Sequence, residues 1–316
     1  TAQTQQCEGI GRRDDALRRH RGVRCIGHVA ERTRPATTGT APTIPAMTQG
    51  ALQGQIAFIT GAGSGLGAAF ARRLALDGAT VVVNDLAADA AAAVASEVGG
   101  DTAVFDVCDS AAFDAAVDDV VSRHGRLDIM VNNAGIAPPA DPARTQLAIE
   151  NQMRRMEGKL DELVPPNNTV DLSDADFDRM IKVHLYGTFY GTRAALRHMT
   201  TARSGAIVNI SSVLGLRPMA GALHYAAAKA GIIALTKSTG QEVAPFGIRV
   251  NAVCPGWIDT PLLAPMDPMM MAGLVMQIPR GRMGTADELA ELVRFLSGPE
   301  SSYCNGDVFA ASGGFV

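Results

Sequence analysis

Tyr225 and Lys229 stand four residues apart in the stretch HYAAAKAG, a spacing that stacks two side chains on one face of a helix. A lone phenol ionises near pH ~10 and is a poor base at neutrality. An adjacent ammonium favours the phenolate, lowers that pKa and suits the group to exchange a proton with a substrate hydroxyl. Ser212, at the end of a strand-like run, can hydrogen-bond the same oxygen. The competing account is a solvated pair on a surface helix, with Ser212 merely closing a strand.

A second constellation lies in IAFITGAGSGLG, Ile56 to Gly67. Ile56, Ala57, Phe58 and Ile59 have the character of a buried strand, and Ala68, Ala69, Phe70, Ala71 and Leu74 continue as an apolar helical face. Between them, Gly61, Gly63, Gly65 and Gly67 permit turn conformations and close approach of a phosphate to the main chain. The helix that follows turns its free N–H groups toward that phosphate. A plain tight turn is the alternative. Asp85, eighteen residues past Gly67 and after a second strand-like run Ala79 to Val83, stands where a dinucleotide fold places its ribose ligand.

The elements that must position these groups alternate along the chain. Further strand-like runs are Thr102 to Phe105, Ile129 to Val131, Ala206 to Ile210, Ile248 to Val253 and Val308 to Ala310. Helical patterns cover Ala68 to Leu76, Ala87 to Val98, Ala111 to His124, Asp174 to Met199, Tyr225 to Val243 and Ala286 to Leu296. This alternation predicts an α/β fold: one domain with a doubly wound, Rossmann-type parallel sheet of seven strands and helices on both faces. One segment, about 138–172, interrupts the rhythm. It holds a candidate helix from about Thr145 to Val164, with Ile149, Met153, Met156, Leu160 and Leu163 on one stripe and proline pairs at both ends. That stripe is expected to pack beside the mouth of the site, or else against another subunit. Ser173 with Asp176 resembles a capping box for the next helix.

Composition bounds the rest. The chain has 316 residues, 47% of them hydrophobic, enough for a sizeable core. Residues 1–46 carry eight arginines and four acids and end in a Thr/Pro/Ala stretch, leaving twenty bases against twenty-eight acids in residues 47–316. The tail is expected to be disordered or non-native, with Met47 the natural start. An acidic body repels nucleic acid and anionic membrane, so neither is expected as a partner. Cys7, Cys25, Cys108, Cys254 and Cys304 are scattered without metal-ligand spacing, which points to reduced thiols, a cytoplasmic setting and no metal. No apolar run is long enough to span a bilayer.

TGAGSGLG, Asp85, NNAG at Asn132 to Gly135, Ser212, Tyr225 with Lys229, and PGWIDT at Pro255 to Thr260 together resemble the classical short-chain dehydrogenase/reductase family. The resemblance runs from about Gln53 to the C-terminal GDVFAASGG. It implies Tyr225 as catalytic acid/base, Lys229 as its pKa modulator and nicotinamide-ribose ligand, and Ser212, at the family's thirteen-residue spacing from Tyr225, as stabiliser of the substrate oxygen. It places the pyrophosphate on Gly61, Ser64, Gly65, Leu66 and Gly67, the adenosine at Asp85, Asp106 and Val107, and the cofactor floor on Asn133, Ala134 and Gly135. Pro255, Gly256, Ile258 and Thr260 would meet the nicotinamide end. A homo-oligomer, tetramer or dimer, is implied as well.

Two departures from the family pattern stand out, the 138–172 segment and Val183-His184-Leu185 where the family has asparagine. A proton relay at that point has to run through the imidazole of His184, unless the ring merely fills space. Asp85 suits the hydroxyls of an NAD ribose and repels the 2′-phosphate of NADP, and Ser64 and Leu86 supply no cation, so NAD is expected before NADP. The methionines Met266, Met269, Met270, Met271 and Met276 suggest an adaptable lid for a bulky apolar, small-molecule substrate. The expected activity is NAD-dependent hydride transfer between the cofactor and a secondary alcohol or ketone. The alternatives are an NADPH-dependent 3-oxoacyl thioester reductase and a catalytically silent NAD-binding redox sensor.

Overall fold

The computed structural model describes residues 50–138, 141–263 and 267–316; the expectations for the 1–46 tail, Cys7, Cys25 and Met266 fall outside these residues. The elements run β1 (Ile56–Ile59), α1 (Gly65–Leu76), β2 (Thr80–Asp85), α2 (Ala88–Val98), β3 (Asp101–Val104), α3 (Ser110–His124) and β4 (Ile129–Asn132). Then follow α4 (Pro142–Met156), α5 (Asp174–Ile181), α6 (Gly187–Ala202), β5 (Gly205–Ile210), α7 (Val213–Leu216) and α8 (Leu223–Val243). The chain closes with β6 (Ile248–Pro255), α9 (Pro268–Val275), α10 (Ala286–Ser297) and β7 (Val308–Ala311).

The seven strands form one parallel sheet in the order β3-β2-β1-β4-β5-β6-β7. Both faces are covered, which is why the strands read as unbroken apolar runs. Alternation along β1 sends Ala57 and Ile59 into a core with α1, α2 and α10, and Ile56 and Phe58 into a second core with α3 and α6. The chain lays β2 and β3 on one side of β1, then crosses to place β4 to β7 on the other. That reversal opens a crevice beyond the carboxyl ends of β1 and β4, the ligand position of open α/β sheets.

Two local features bear on the site. The helix expected from Asp174 to Met199 is α5 and α6 joined through a π-helical turn, Lys182–Tyr186, which carries His184. Such a turn inserts a residue and re-aims the side chains on it. At its start, Ser173 Oγ accepts from the Asp176 amide at 3.1 Å and donates to the Asp176 carboxylate at 2.6 Å, so it caps the helix without the reciprocal bond of a capping box. The full box occurs at α10, where Thr285 and Glu288 satisfy each other's amides.

Candidate active site

A cleft of about 1380 Å³ opens at the carboxyl ends of the strands. At its base Gly61, in the left-handed region at φ +61°, lies so close to the β4 loop that a Cβ would come within 2.8 Å of Ala134 Cα. Thr60 shapes that loop, its Oγ1 accepting from the amides of Asn133 at 2.9 Å and Ala134 at 3.0 Å. Asn133 returns the bond, donating from Nδ2 to the carbonyls of Thr60 and Gly61. Ser64 caps α1 without a side-chain bond to its first amides, and Ser64, Gly65 and Leu66 face the cleft. Free amides at a helix N-terminus are anion ligands, so the segment fits a pyrophosphate. Gly67 does not reach the cleft: it is buried against Ala62 and Asn133 and lets α1 pack tightly on the sheet. Its expected cofactor contact is therefore corrected to a packing role.

Asp85 ends β2, with one carboxylate oxygen accepting from Gly63 N–H at 3.0 Å and the other from Ala87 N–H at 3.0 Å. Each oxygen keeps a further lone pair for a ribose hydroxyl. Asp106 and Val107 lie farther along the same wall. Pro255, Gly256, Ile258 and Thr260 line the opposite side, Thr260 facing Gly65 across the opening. The residues present thus fit a dinucleotide along the whole crevice.

Ser212, Tyr225 and Lys229 converge at the inner end. Lys229 is only 4% exposed, which excludes a solvated surface pair. Its Nζ donates to the Ile210 carbonyl at 2.8 Å, and burial pulls its pKa down from 10.5 to about 7. Tyr225 is half-buried, and desolvation pushes its phenol up against an opposing pull from Ser212. Desolvation is the largest influence on the phenol, and Lys229, whose Nζ lies 5.6 Å from the Tyr225 ring centroid, is not among the groups that shift it, so the acidification expected from spacing does not appear. Ser211 is committed elsewhere, its Oγ donating to the Lys229 carbonyl at 2.8 Å.

His184 packs edge-on to Tyr225, ring centroids 5.2 Å apart at 84°. Burial first, then the charge of Lys229, holds its pKa well below the usual imidazole value, so the ring is neutral. Below the site, Asn132 Nδ2 donates to Asn209 at 2.8 Å and to Thr192, and Asn209 donates to Thr236 at 3.0 Å. This buried network joins β4, β5, α6 and α8, and so fixes the strand end that carries Ser212 relative to the helix that carries Tyr225. Thr60 and the Asn209–Thr236 pair left no signal in residue spacing; a polar side chain within an apolar strand was the one clue.

The mouth differs from expectation. α4 ends at Met156, and Gly158 at φ +76° breaks it well before Val164. Met153, Met156 and Leu160 point outward, 56%, 80% and 64% exposed, and the cleft is walled instead by Asp141, Arg144, Thr145 and Ala148. Among the methionines after Thr260, Met270 faces the cleft, whereas Met269 and Met276 are exposed; Leu262, Leu263 and Leu274 complete that apolar wall. Among the described residues no helix is long and apolar enough to cross a membrane, and no cluster of His, Cys, Asp or Glu has metal-binding geometry.

Known proteins resemble this chain over most of its length. A 3-oxoacyl-(acyl-carrier-protein) reductase of Thermotoga maritima is 35% identical over 270 residues, covering 84% of this chain and 99% of that protein. The cis-4-hydroxycyclohexanecarboxylate dehydrogenase of Sinomonas cyclohexanicum is 38% identical over 266 residues, covering 83% and 96%. The solved structure of a Brucella melitensis protein named ribose-5-phosphate isomerase superposes with a TM-score of 0.73 at 34% identity, covering 85% of this chain and 94% of that one. The short chain dehydrogenase family model matches residues 55–270. The glycine turn, the carboxylate ending β2 and the Ser212–Tyr225–Lys229 group lie within that span, and the chain belongs to the short chain dehydrogenase family.

Proposed function

We propose that the protein interconverts a secondary alcohol and a ketone with NAD. The observation that carries the reading is the meeting of Ser212, Tyr225 and buried Lys229 at the inner end of a crevice that fits a dinucleotide. When bound, the nicotinamide supplies or accepts the hydride. The protein's part is the proton. In ketone reduction the phenol of Tyr225, held protonated by burial, gives its proton to the carbonyl oxygen while Ser212 Oγ donates a second hydrogen bond to that oxygen. In alcohol oxidation the phenolate takes the hydroxyl proton, so oxidation gains and reduction loses as pH rises. Lys229 keeps its positive charge below about pH 7 and loses its proton above.

NAD is favoured over NADP by Asp85, whose charge repels a 2′-phosphate, and by the uncharged, exposed Leu86 beside it. The apolar wall of Leu262, Leu263, Met270 and Leu274 suits a bulky apolar substrate, with a polar rim from α4. A second reading, reduction of a 3-oxoacyl thioester, is favoured by the name of the Thermotoga relative. A silent redox sensor is disfavoured, because the complete Ser212–Tyr225–Lys229 group has no role in one. Assembly as a homo-oligomer belongs to the same proposal, supported by the exposed Phe177, Tyr186 and Phe189 on the α5–α6 helix.

The test is NADH formation from a panel of cyclic and long-chain secondary alcohols, run beside NADP and beside reduction of acetoacetyl thioesters. The expected result is turnover with NAD. Tyr225→Phe should lose roughly a hundredfold or more in kcat at unchanged NAD affinity. A wild-type preference for NADP with thioesters would replace this reading by the second.

A further inference from the structure

The 138–172 segment, which departs from the family pattern, brings hydrogen-bond donors of its own to the cleft: Arg144 on α4 and Asn168 after it both line the wall. A guanidinium carries five N–H donors, and three of those on Arg144 are taken, Nε by Asp141 at 3.0 Å, Nη1 by Asn168 Oδ1 at 3.0 Å and Nη2 by Asp171 at 3.3 Å. One N–H remains on each terminal nitrogen. Because arginine can only donate, Asn168 has to meet it with its carbonyl oxygen, which turns the amide nitrogen the other way. That nitrogen has no partner among the described residues. It lies beside Gly221, where a Cβ would come within 3.4 Å of it, and Gly221 sits at φ +86°, a conformation that favours glycine. The amide is therefore left uncovered on that side. Gly221 and Ala222 line the same cleft and lead into the helix that carries Tyr225, so these donors and the proton-transfer group share one opening.

We propose that Arg144 and Asn168 form a second substrate anchor, which takes a neutral carbonyl oxygen on the part of the substrate remote from the reacting carbinol. The inference rests on the dehydrogenase reading above and narrows its substrate class to a hydroxy ester, hydroxy ketone or hydroxy amide. Charge decides between a neutral and an anionic group. Asp141 and Asp171 already set two carboxylates against one guanidinium, so a substrate carboxylate would enter a cluster with a negative charge in excess and would give up its own hydration to do so. A carbonyl oxygen accepts from the same N–H groups without that repulsion. Arg179 and Lys182, further cations of the cleft, lie within electrostatic reach of Cys108 on the wall of Asp85 and Asp106, and so serve that side. The apolar wall of Leu262, Leu263, Met270 and Leu274 accounts for the hydrocarbon of the substrate, and the anchor for its polar end.

Rates of NADH formation by the full chain are compared for methyl 4-hydroxycyclohexanecarboxylate, 4-hydroxycyclohexanecarboxylate and 4-methylcyclohexanol, alcohols of one ring that differ only at the far group. The expected kcat/KM for the ester is about tenfold above that for either of the others, the effect of one well-made hydrogen bond. Asn168→Asp keeps the shape and the bond from Arg144 but replaces the donating amide by an acceptor, and should bring the ratio of ester to 4-methylcyclohexanol down to about one. Should that variant fail to fold, the wild-type ratios alone decide. Equal kcat/KM for the ester and 4-methylcyclohexanol in wild type would overturn the anchor, and the highest value for the free carboxylate would replace it by an anion site. Calorimetric titration with methyl cyclohexanecarboxylate, which has no hydroxyl to oxidise, reads the anchor without turnover: in the presence of NAD its Kd should be about tenfold lower for wild type than for Asn168→Asp. If wild type oxidises no alcohol but that difference in Kd is found, the dehydrogenase reading fails and the anchor stands. If the ester does not bind, or binds both proteins equally, the anchor fails even where alcohols are oxidised.

Discussion

Lys229 combines an ammonium with complete burial, and the two oppose each other. Its folded pKa is depressed from 10.5 to about 7, whereas in the unfolded chain it returns to the ordinary value. Between those limits the unfolded state holds more protons, so this residue makes the protein more stable as pH rises from about 7 toward 10.5, and its cost is greatest at or below pH 7. Lys229→Met should therefore raise Tm by roughly 5 °C at pH 7, with a gain that shrinks toward pH 10, while abolishing turnover. Thermal unfolding of both proteins across that range checks it; an advantage that grows with pH would contradict the assignment. The four-residue spacing of Tyr225 and Lys229 was legible because helix geometry fixes it. The direction of the Tyr225 shift was not, because solvation is set by what packs over the pair.

At the scale of elements, the 138–172 segment is held by polar clamps. Asn151, buried on α4, accepts from the Val164 amide at 3.0 Å and donates to its carbonyl at 2.7 Å, so the returning chain docks as a strand would. Arg144 ties Asp141 at 3.0 Å to Asn168 and Asp171. These contacts turn the face of Asp141, Arg144, Thr145 and Ala148 toward the cleft and leave the methionine stripe outside. Periodicity revealed that a helix was present but could not choose its inward face, since the polar clamps that turn α4 come from residues after it. Ala148→Phe should raise KM for bulky alcohols roughly tenfold and hardly change it for small ones. Replacing Met153 and Met156 by serine should leave that preference unchanged. Steady-state kinetics over a substrate-size series separates the two, and the reverse pattern would restore the methionine wall.

For the whole molecule, Arg294 is a buried tie between distant parts of the chain. From α10 it reaches Asp77, at the end of α1, and Glu300 at 2.7 Å, and Arg73 adds a contact to Asp77 at 3.2 Å. α1 opens on the free amides that face the cleft at Ser64 to Leu66, so this cluster anchors the far end of that helix. Removing one member of a buried pair leaves the other charge uncompensated, a loss of about 3 kcal/mol. Asp77→Asn should accordingly lower the unfolding free energy by about that amount in urea titrations, with NAD affinity at 25 °C little changed because the site lies at the opposite end of α1. Loss of NAD binding at full stability would show the cluster acting on the site instead.

The strand and helix alternation, the glycine turn, the carboxylate after β2 and the Tyr225–Lys229 pairing were all determined by the sequence alone. Each is a local matter: consecutive residues set periodicity, and a turn or a helix face needs particular side chains only a few positions apart. The parallel sheet followed, because strands separated by helices have few other ways to bury both faces. Tertiary structure decided what depends on partners remote in the chain. It placed Gly67 against the sheet instead of the cleft, since the loop from Asn133 fills the space beside it. It set the protonation of Tyr225, Lys229 and His184 through burial that no local pattern encodes. Only the fold could bring Ile136 to the ring of His184, 48 residues away.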